Sequence, residues 1–142
     1  MKTNHSFEDI SKNRKKELQY ICLQYGENAA ELSELTRHIN SLGEETEPRS
    51  YDLRRFAFLT DRLDDIQASI EDVMIHECNL KDSDERIALK KAIEFHVCNG
   101  KTFNYLFSTM ENFPISEKTF FGLVRFFYCF LDLRCGQKVT LC

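Results

Sequence analysis

Apolar residues recur along the first third of the chain at gaps of three or four: Leu18, Ile21, Tyr25, Ala29, Leu32, Leu35, Ile39 and Leu42. That is the period of an amphipathic helix. Ser6 with Asp9 resembles a capping arrangement at its start, and the stripe crosses Gly26-Glu27-Asn28 without losing phase. Residues 6–42 are therefore expected as one long helix weakened at Gly26, or as two nearly collinear helices with Asn28 capping the second. Gly43-Glu44-Glu45-Thr46-Glu47-Pro48-Arg49 is a loop, because Gly ends a helix and Pro cannot continue one. Ser50 can cap the next helix. There Leu53, Phe56, Leu59, Leu63, Ile66, Ile70 and Val73 form a heptad-type, coiled-coil seam. Over 50–77 it would be about 42 Å long.

A second break falls at 79–83, where Asp82 and Glu85 offer a cap and its capping-box partner. The third helix is expected over 83–98, closed by Asn99-Gly100. A fourth spans 102–112 and stops at Pro114. Ser116 caps a fifth, 116–134, which Gly136 ends, leaving 137–142 as a loose tail. The expected fold is all-α: a long antiparallel helical hairpin (6–42 and 50–77) packed with three shorter C-terminal helices. Two Pro and five Gly are too few for the turns of an all-β chain. The 142 residues suffice for one domain, 1–142. In it, 1–78 is the hairpin and 79–142 a bundle that is not an independent domain.

The fifth helix sharpens the picture. Thr119 to Leu133 holds five of the twelve Phe and only two charges, Arg125 and Asp132. A helix apolar on nearly every side must be wrapped by other helices or by a partner. If a small monomer cannot hide them, Phe120, Phe121, Phe126, Phe127 and Phe130 line a partner-binding groove or a homodimer interface. Tyr51 and Phe58 lie seven apart on the second long helix, off its seam and beside Arg62 and Asp65. Buried against the C-terminal helices, they are core, the reading the sequence favours; exposed, they are aromatic anchors of the kind that dominate interfaces.

Charge changes the picture little. A net charge of −4 gives no basic field for nucleic acid, and Lys12, Arg14, Lys15 and Lys16 are interleaved with Glu8, Asp9 and Glu17 as on a solvated face. The N-terminus lacks the apolar stretch of a signal peptide. The aromatic run falls short of the ~20 residues that span a bilayer. The expected location is the cytoplasm, with the cysteines (22, 78, 98, 129, 135, 142) reduced. The alternative is a secreted, disulfide-bonded helical cytokine.

Candidate chemistry is sparse. His76-Glu77-Cys78 and His96-Val97-Cys98 repeat a His-x-Cys of soft ligands. Antiparallel helices would hold the two pairs about 20 Å apart, so no zinc site is expected. Glu31-x-x-Glu34 and Asp61-x-x-Asp64 give paired carboxylates at one-turn spacing. The pattern is similar to that of MazG-type all-α nucleotide pyrophosphohydrolases, although Asp61 stands where that family has Glu. The resemblance implies Mg²⁺ held against a triphosphate by these four acids. Leu53-Arg54-Arg55, together with Asn99-Gly100 before Phe103, resembles the groove-forming B-cell-lymphoma-type apoptosis regulators. Those place Gly-Arg directly after an aromatic, where this chain has Asn104-Tyr105 after Phe103. No nucleophile triad or phosphate loop is readable. The function expected is a non-catalytic interaction module (adaptor, regulator or chaperone-like binder) that needs no cofactor and acts on a protein partner or a second copy.

Overall fold

The computed structural model describes residues 6–140, with side chains as far as Gly136. The described residues are all-helical. After a 3-10 turn, Phe7–Asp9, come α1 (Lys12–Leu23), α2 (Tyr25–Ser41), α3 (Ser50–His76), α4 (Ser83–Asn99), α5 (Phe103–Thr109) and α6 (Glu117–Thr140).

The first long stretch is divided, but not where glycine suggested. Ser6 starts only the short turn, its N–H bonding the Asp9 carboxylate at 3.3 Å. The cap of α1 is Ser11, whose hydroxyl accepts from the Arg14 N–H at 3.2 Å. The break falls at Gln24, with φ −83° and ψ −2°. It is shallow, because bonds from Gln24 N–H to Tyr20 O (3.2 Å) and from Asn28 N–H to Gln24 O (2.9 Å) bridge it. Gly26 and Asn28 lie inside α2. Its effect is to separate two packing partners: α1 lies on α4 and α6, whereas α2 lies chiefly on α3.

α2 and α3 run antiparallel, as three contacts show. Tyr25 meets Gln67 (3.0 Å), Glu31 meets Arg55 (2.6 and 2.8 Å) and His38 meets Asp52 (3.8 Å), so one number rises as the other falls. Arg49, not Ser50, is the N-cap of α3, and its guanidinium reaches the buried Asp52 at 3.3 Å. Asp82 caps α4 as expected, accepting from Glu85 N–H at 3.0 Å. Gly100 closes it at φ +67°, a left-handed conformation that a side chain would strain. Across the α3–α4 corner, Arg86 donates to the carbonyls of Met74 and Leu80, 2.8 Å each, satisfying an end-of-helix acceptor.

Two later boundaries move. α5 stops at Thr109 because Met110 is extended and Asn112 turns left-handed at φ 54°. The hydroxyls of Ser108 and Thr109 bond back to Tyr105 O at 3.0 and 2.7 Å. α6 does not end at Gly136 but continues to Thr140. A glycine stops a helix by turning left-handed, and Gly136 does not. The rest of the expected tail, residues 141 and 142, lies outside the described residues.

The core lies between α1, the C-terminal half of α3, α4, α5 and α6, built on side chains such as Leu18, Ile70, Ile93, Leu106, Phe127 and Leu131. α2 buries no residue fully. The seam of α3 divides accordingly. Ile66, Ile70 and Val73 are sealed in the core cluster; Leu59 is completely buried but outside that cluster, Phe56 and Leu63 are half-buried and Leu53 is 49% exposed. The tip half of the α2–α3 hairpin is thus an arm that stands off the core.

Candidate interaction surface

The aromatic helix resolves into inside and outside. Phe120 and Phe127 are completely buried and Phe130 nearly so, which corrects the expectation that a monomer could not hide them. The wrapping comes from α1, α3, α4 and the first turn, all of which pack on α6. The Phe120 ring sits 5.5 Å from those of His96 and Phe121, 5.6 Å from Phe103 and 5.8 Å from Phe113. Phe121 is half-buried at the edge of this cluster, and Phe126 reaches solvent beside Arg125.

Tyr51 and Phe58 are outside. They are 65% and 45% exposed, on a different flank from the completely buried Leu59 that follows Phe58 in the chain. The guanidiniums of Arg55 and Arg62 lie 5.3 Å from the Phe58 ring centroid, one from each flanking turn. Each such contact is worth about 0.5–1 kcal/mol at an exposed position. Both arginines are themselves anchored, Arg55 by Glu31 and Arg62 by the Cys135 sulfur at 3.1 Å. The ring is therefore presented in a fixed pose. Asp65, which the helical spacing sets beside these aromatics, is buried. Arg54 and Asp61 are the exposed charges of this face, one turn before and one turn after Phe58. Sequence reasoning passed over Arg54 and Arg55 here, although their three- and four-residue spacing from Phe58 was the available signal.

The other candidates do not assemble. Among the described residues, no group of three or more His, Cys, Asp or Glu is placed to hold a metal ion. Glu31, Glu34, Asp61 and Asp64 therefore do not converge. Glu31 is instead bound two-pronged by Arg55, whose hydrogen bond holds its carboxyl below the usual glutamate range. His96 Nδ1 donates to the Lys101 carbonyl (2.7 Å) and the ring rests on Phe120 and Phe121, and His76 lies 6.1 Å from the Phe130 ring. The basic cluster is spent locally: Arg14 bonds Asp132 at 2.6 Å, and Lys15 lies 4.1 Å from the Phe7 ring centroid. An open cleft of about 530 Å³ lies between the start of α4 and the loop after α5, lined by Asp82, Asp84, Glu85, Ala88, Glu111 and Asn112. Its acids are solvated, and Asp82 is occupied as a cap.

No helix among the described residues is long and apolar enough to cross a membrane. No family model, curated protein or solved structure matches this chain.

Proposed function

We propose that the chain is a non-catalytic protein–protein interaction module, an adaptor, regulator or chaperone-like binder, that works through the exposed face of the α3 arm. One observation carries this reading. Phe58 is held between Arg55 and Arg62, with Tyr51 seven residues away, both exposed on the half of α3 that lies outside the main core cluster. Aromatic and arginine side chains in fixed poses supply contact area at low entropic cost and dominate binding hot spots. Phe121 and Phe126 are secondary contacts on α6. A reducing, cytoplasmic compartment belongs to the same reading, supported by Cys22, Cys78, Cys98, Cys129 and Cys135 standing as free thiols.

The test is a photo-crosslinking benzoylphenylalanine at Tyr51, with a second at Asp84 as control. The reading expects a discrete adduct from Tyr51 that disappears when Phe58→Ala is added and thermal stability is unchanged. Equal labelling from Asp84, or labelling indifferent to Phe58, removes it.

A further inference from the structure

We infer that Tyr51 is a modification site, the phosphoryl acceptor of a tyrosine kinase, and that its phosphate takes Arg54 and Arg55 and so switches the α3 arm. As a control on binding, the inference rests on the reading of this arm as an interaction surface.

Exposure and surroundings single out Tyr51 among the five tyrosines. The Tyr25 hydroxyl accepts from Gln67 at 3.0 Å, and Tyr128 is buried. Tyr20 is exposed but lies within α1, after the basic run Arg14-Lys15-Lys16. Tyr105 has the Lys101 ammonium 4.7 Å from its ring centroid and no acid among residues 98–104 before it. Tyr51 is 65% exposed and second in α3. The exposed Glu44, Glu45 and Glu47 precede it on a loop that is irregular over 46–49 and extended at Arg49, with φ −66° and ψ 146°. Kinases select an acceptor by the charges alongside it in an accessible segment. Only the first turn of α3 has to open for this one, at the end of the helix that lies outside the core cluster.

The arm also holds the groups that receive the phosphate. Arg54 and Arg55 stand three and four residues after Tyr51, one turn further along the same side of the helix. Arg54 is exposed, and Arg55 gives its Nε and Nη2 to Glu31 at 2.6 and 2.8 Å. The Glu31 hydrogen bond raises the Arg55 guanidinium above its ordinary value, and the Tyr51 phenol adds to the effect from one turn away. Asp52, next to Tyr51, is buried and already held by Arg49 at 3.3 Å. In the transfer, the bond from the γ-phosphorus of a nucleoside triphosphate to its diphosphate breaks and a bond to Tyr51 Oη forms. The phenolic proton passes to a base of the kinase, and nucleoside diphosphate leaves. The product carries nearly two negative charges and three acceptor oxygens, against the single charge of a carboxylate. Arg55 therefore turns from Glu31 to the phosphate, with Arg54 beside it. α2 loses a tie to α3, and Phe58 loses one of the two guanidiniums that pose it. Shape and charge of the face change together.

The experiment treats the full chain with a purified acidic-directed tyrosine kinase, ATP and Mg²⁺, and maps the sites by mass spectrometry. Tyr51 should be modified about tenfold or more faster than Tyr20 or Tyr105, and exchanging Glu44, Glu45 and Glu47 for Gln should remove about that advantage. Phosphorus NMR should then show the second phosphate ionisation below its ordinary value of about 6, returning there in Arg54→Gln or Arg55→Gln. The Glu31 carboxyl should rise to the ordinary range on phosphorylation, followed by carboxyl-detected NMR. Even labelling of the three tyrosines, an unmodified Tyr51, a phosphate that titrates as in an isolated peptide, or an unmoved Glu31 overturns the inference. The benzoylphenylalanine at Tyr51 has no hydroxyl and reports on the interaction reading alone. A Phe58-dependent adduct without phosphorylation of native Tyr51 overturns the modification site and leaves that reading in place. A captured phosphate with no such adduct supports the modification site and removes the interaction reading.

Discussion

Phe120→Ala removes a ring that is completely buried and has the rings of His96, Phe103, Phe113 and Phe121 within 5.8 Å. Truncating a buried Phe costs about 3–5 kcal/mol, combining lost transfer energy with the cavity left behind. The value at Phe120 should lie near 4 kcal/mol, roughly the middle of that range, because four aromatic neighbours cannot all collapse into the space. For 142 residues the unfolding entropy is about 0.3 kcal/mol/K, so the midpoint should fall by about 13 °C. Differential scanning calorimetry gives the midpoint, and urea unfolding gives the free energy. Phe120→Leu, at about 1–2 kcal/mol, remains measurable if the alanine variant does not fold. Phe126→Ala, on the solvent side of the same helix, should cost less than about 1 kcal/mol. A loss below about 1.5 kcal/mol at Phe120, or equal losses at Phe120 and Phe126, would refute the wrapped core and return the aromatic helix to the surface.

Three further outcomes follow from the same geometry. Gly122 sits inside α6 with nothing within 4 Å of an added Cβ, so Gly122→Ala should stabilise by about 0.5–1 kcal/mol; a lower melting midpoint would show that the helix is closed against a neighbour there. Burial pushes the Cys98 thiol up to about 12 and the Cys129 thiol up to about 11, and raises Cys22 and Cys135 as well. In the native protein, maleimide should label Cys78 well before these four, as peptide mapping by mass spectrometry would read, and prompt labelling of all five contradicts the packing. The Arg55 hydrogen bond keeps the Glu31 carboxyl low, so that pair's small contribution to stability is complete above about pH 4.3 and fades as the pH falls through the lowered folded value. Carboxyl-detected NMR titration should show Glu31 returning to the ordinary range in Arg55→Gln, and no change on that substitution would disprove the pairing.

The signals read correctly in the sequence were the local ones with their own chemistry. Asp82 caps α4 and Gly100 ends it because a carboxylate at an N-terminus and a left-handed glycine each satisfy backbone groups without outside help. Gly26 and Gly136 carried the same letter and misled, since their conformation is set by neighbours: both are helical, and the break falls at Gln24. The burial of Phe120, Phe127 and Phe130 was equally beyond a periodicity argument. It depends on α1 leaving the hairpin to pack on α4 and α6, a choice that the unbroken stripe from Leu18 to Leu42 does not encode. Tyr51 and Phe58 were legible as off-seam residues, but their fixed pose required Arg55 and Arg62 to be seen on either side of the ring.

A helix shared between a sealed core and an open arm should not unfold as one piece. α3 enters the main core cluster from Ile66 onward, whereas α2, which buries nothing fully, leans chiefly on α3. Amide hydrogen exchange should therefore be graded along a single continuous helix. Protection near Val73 would approach the global limit, and protection from Ser50 to Phe58 would fade together with that of α2 as one smaller cooperative unit. Whatever docks on Tyr51 and Phe58 then acts on that unit's opening equilibrium, and the exchange rates of α2, which it need not touch, become a readout of its binding.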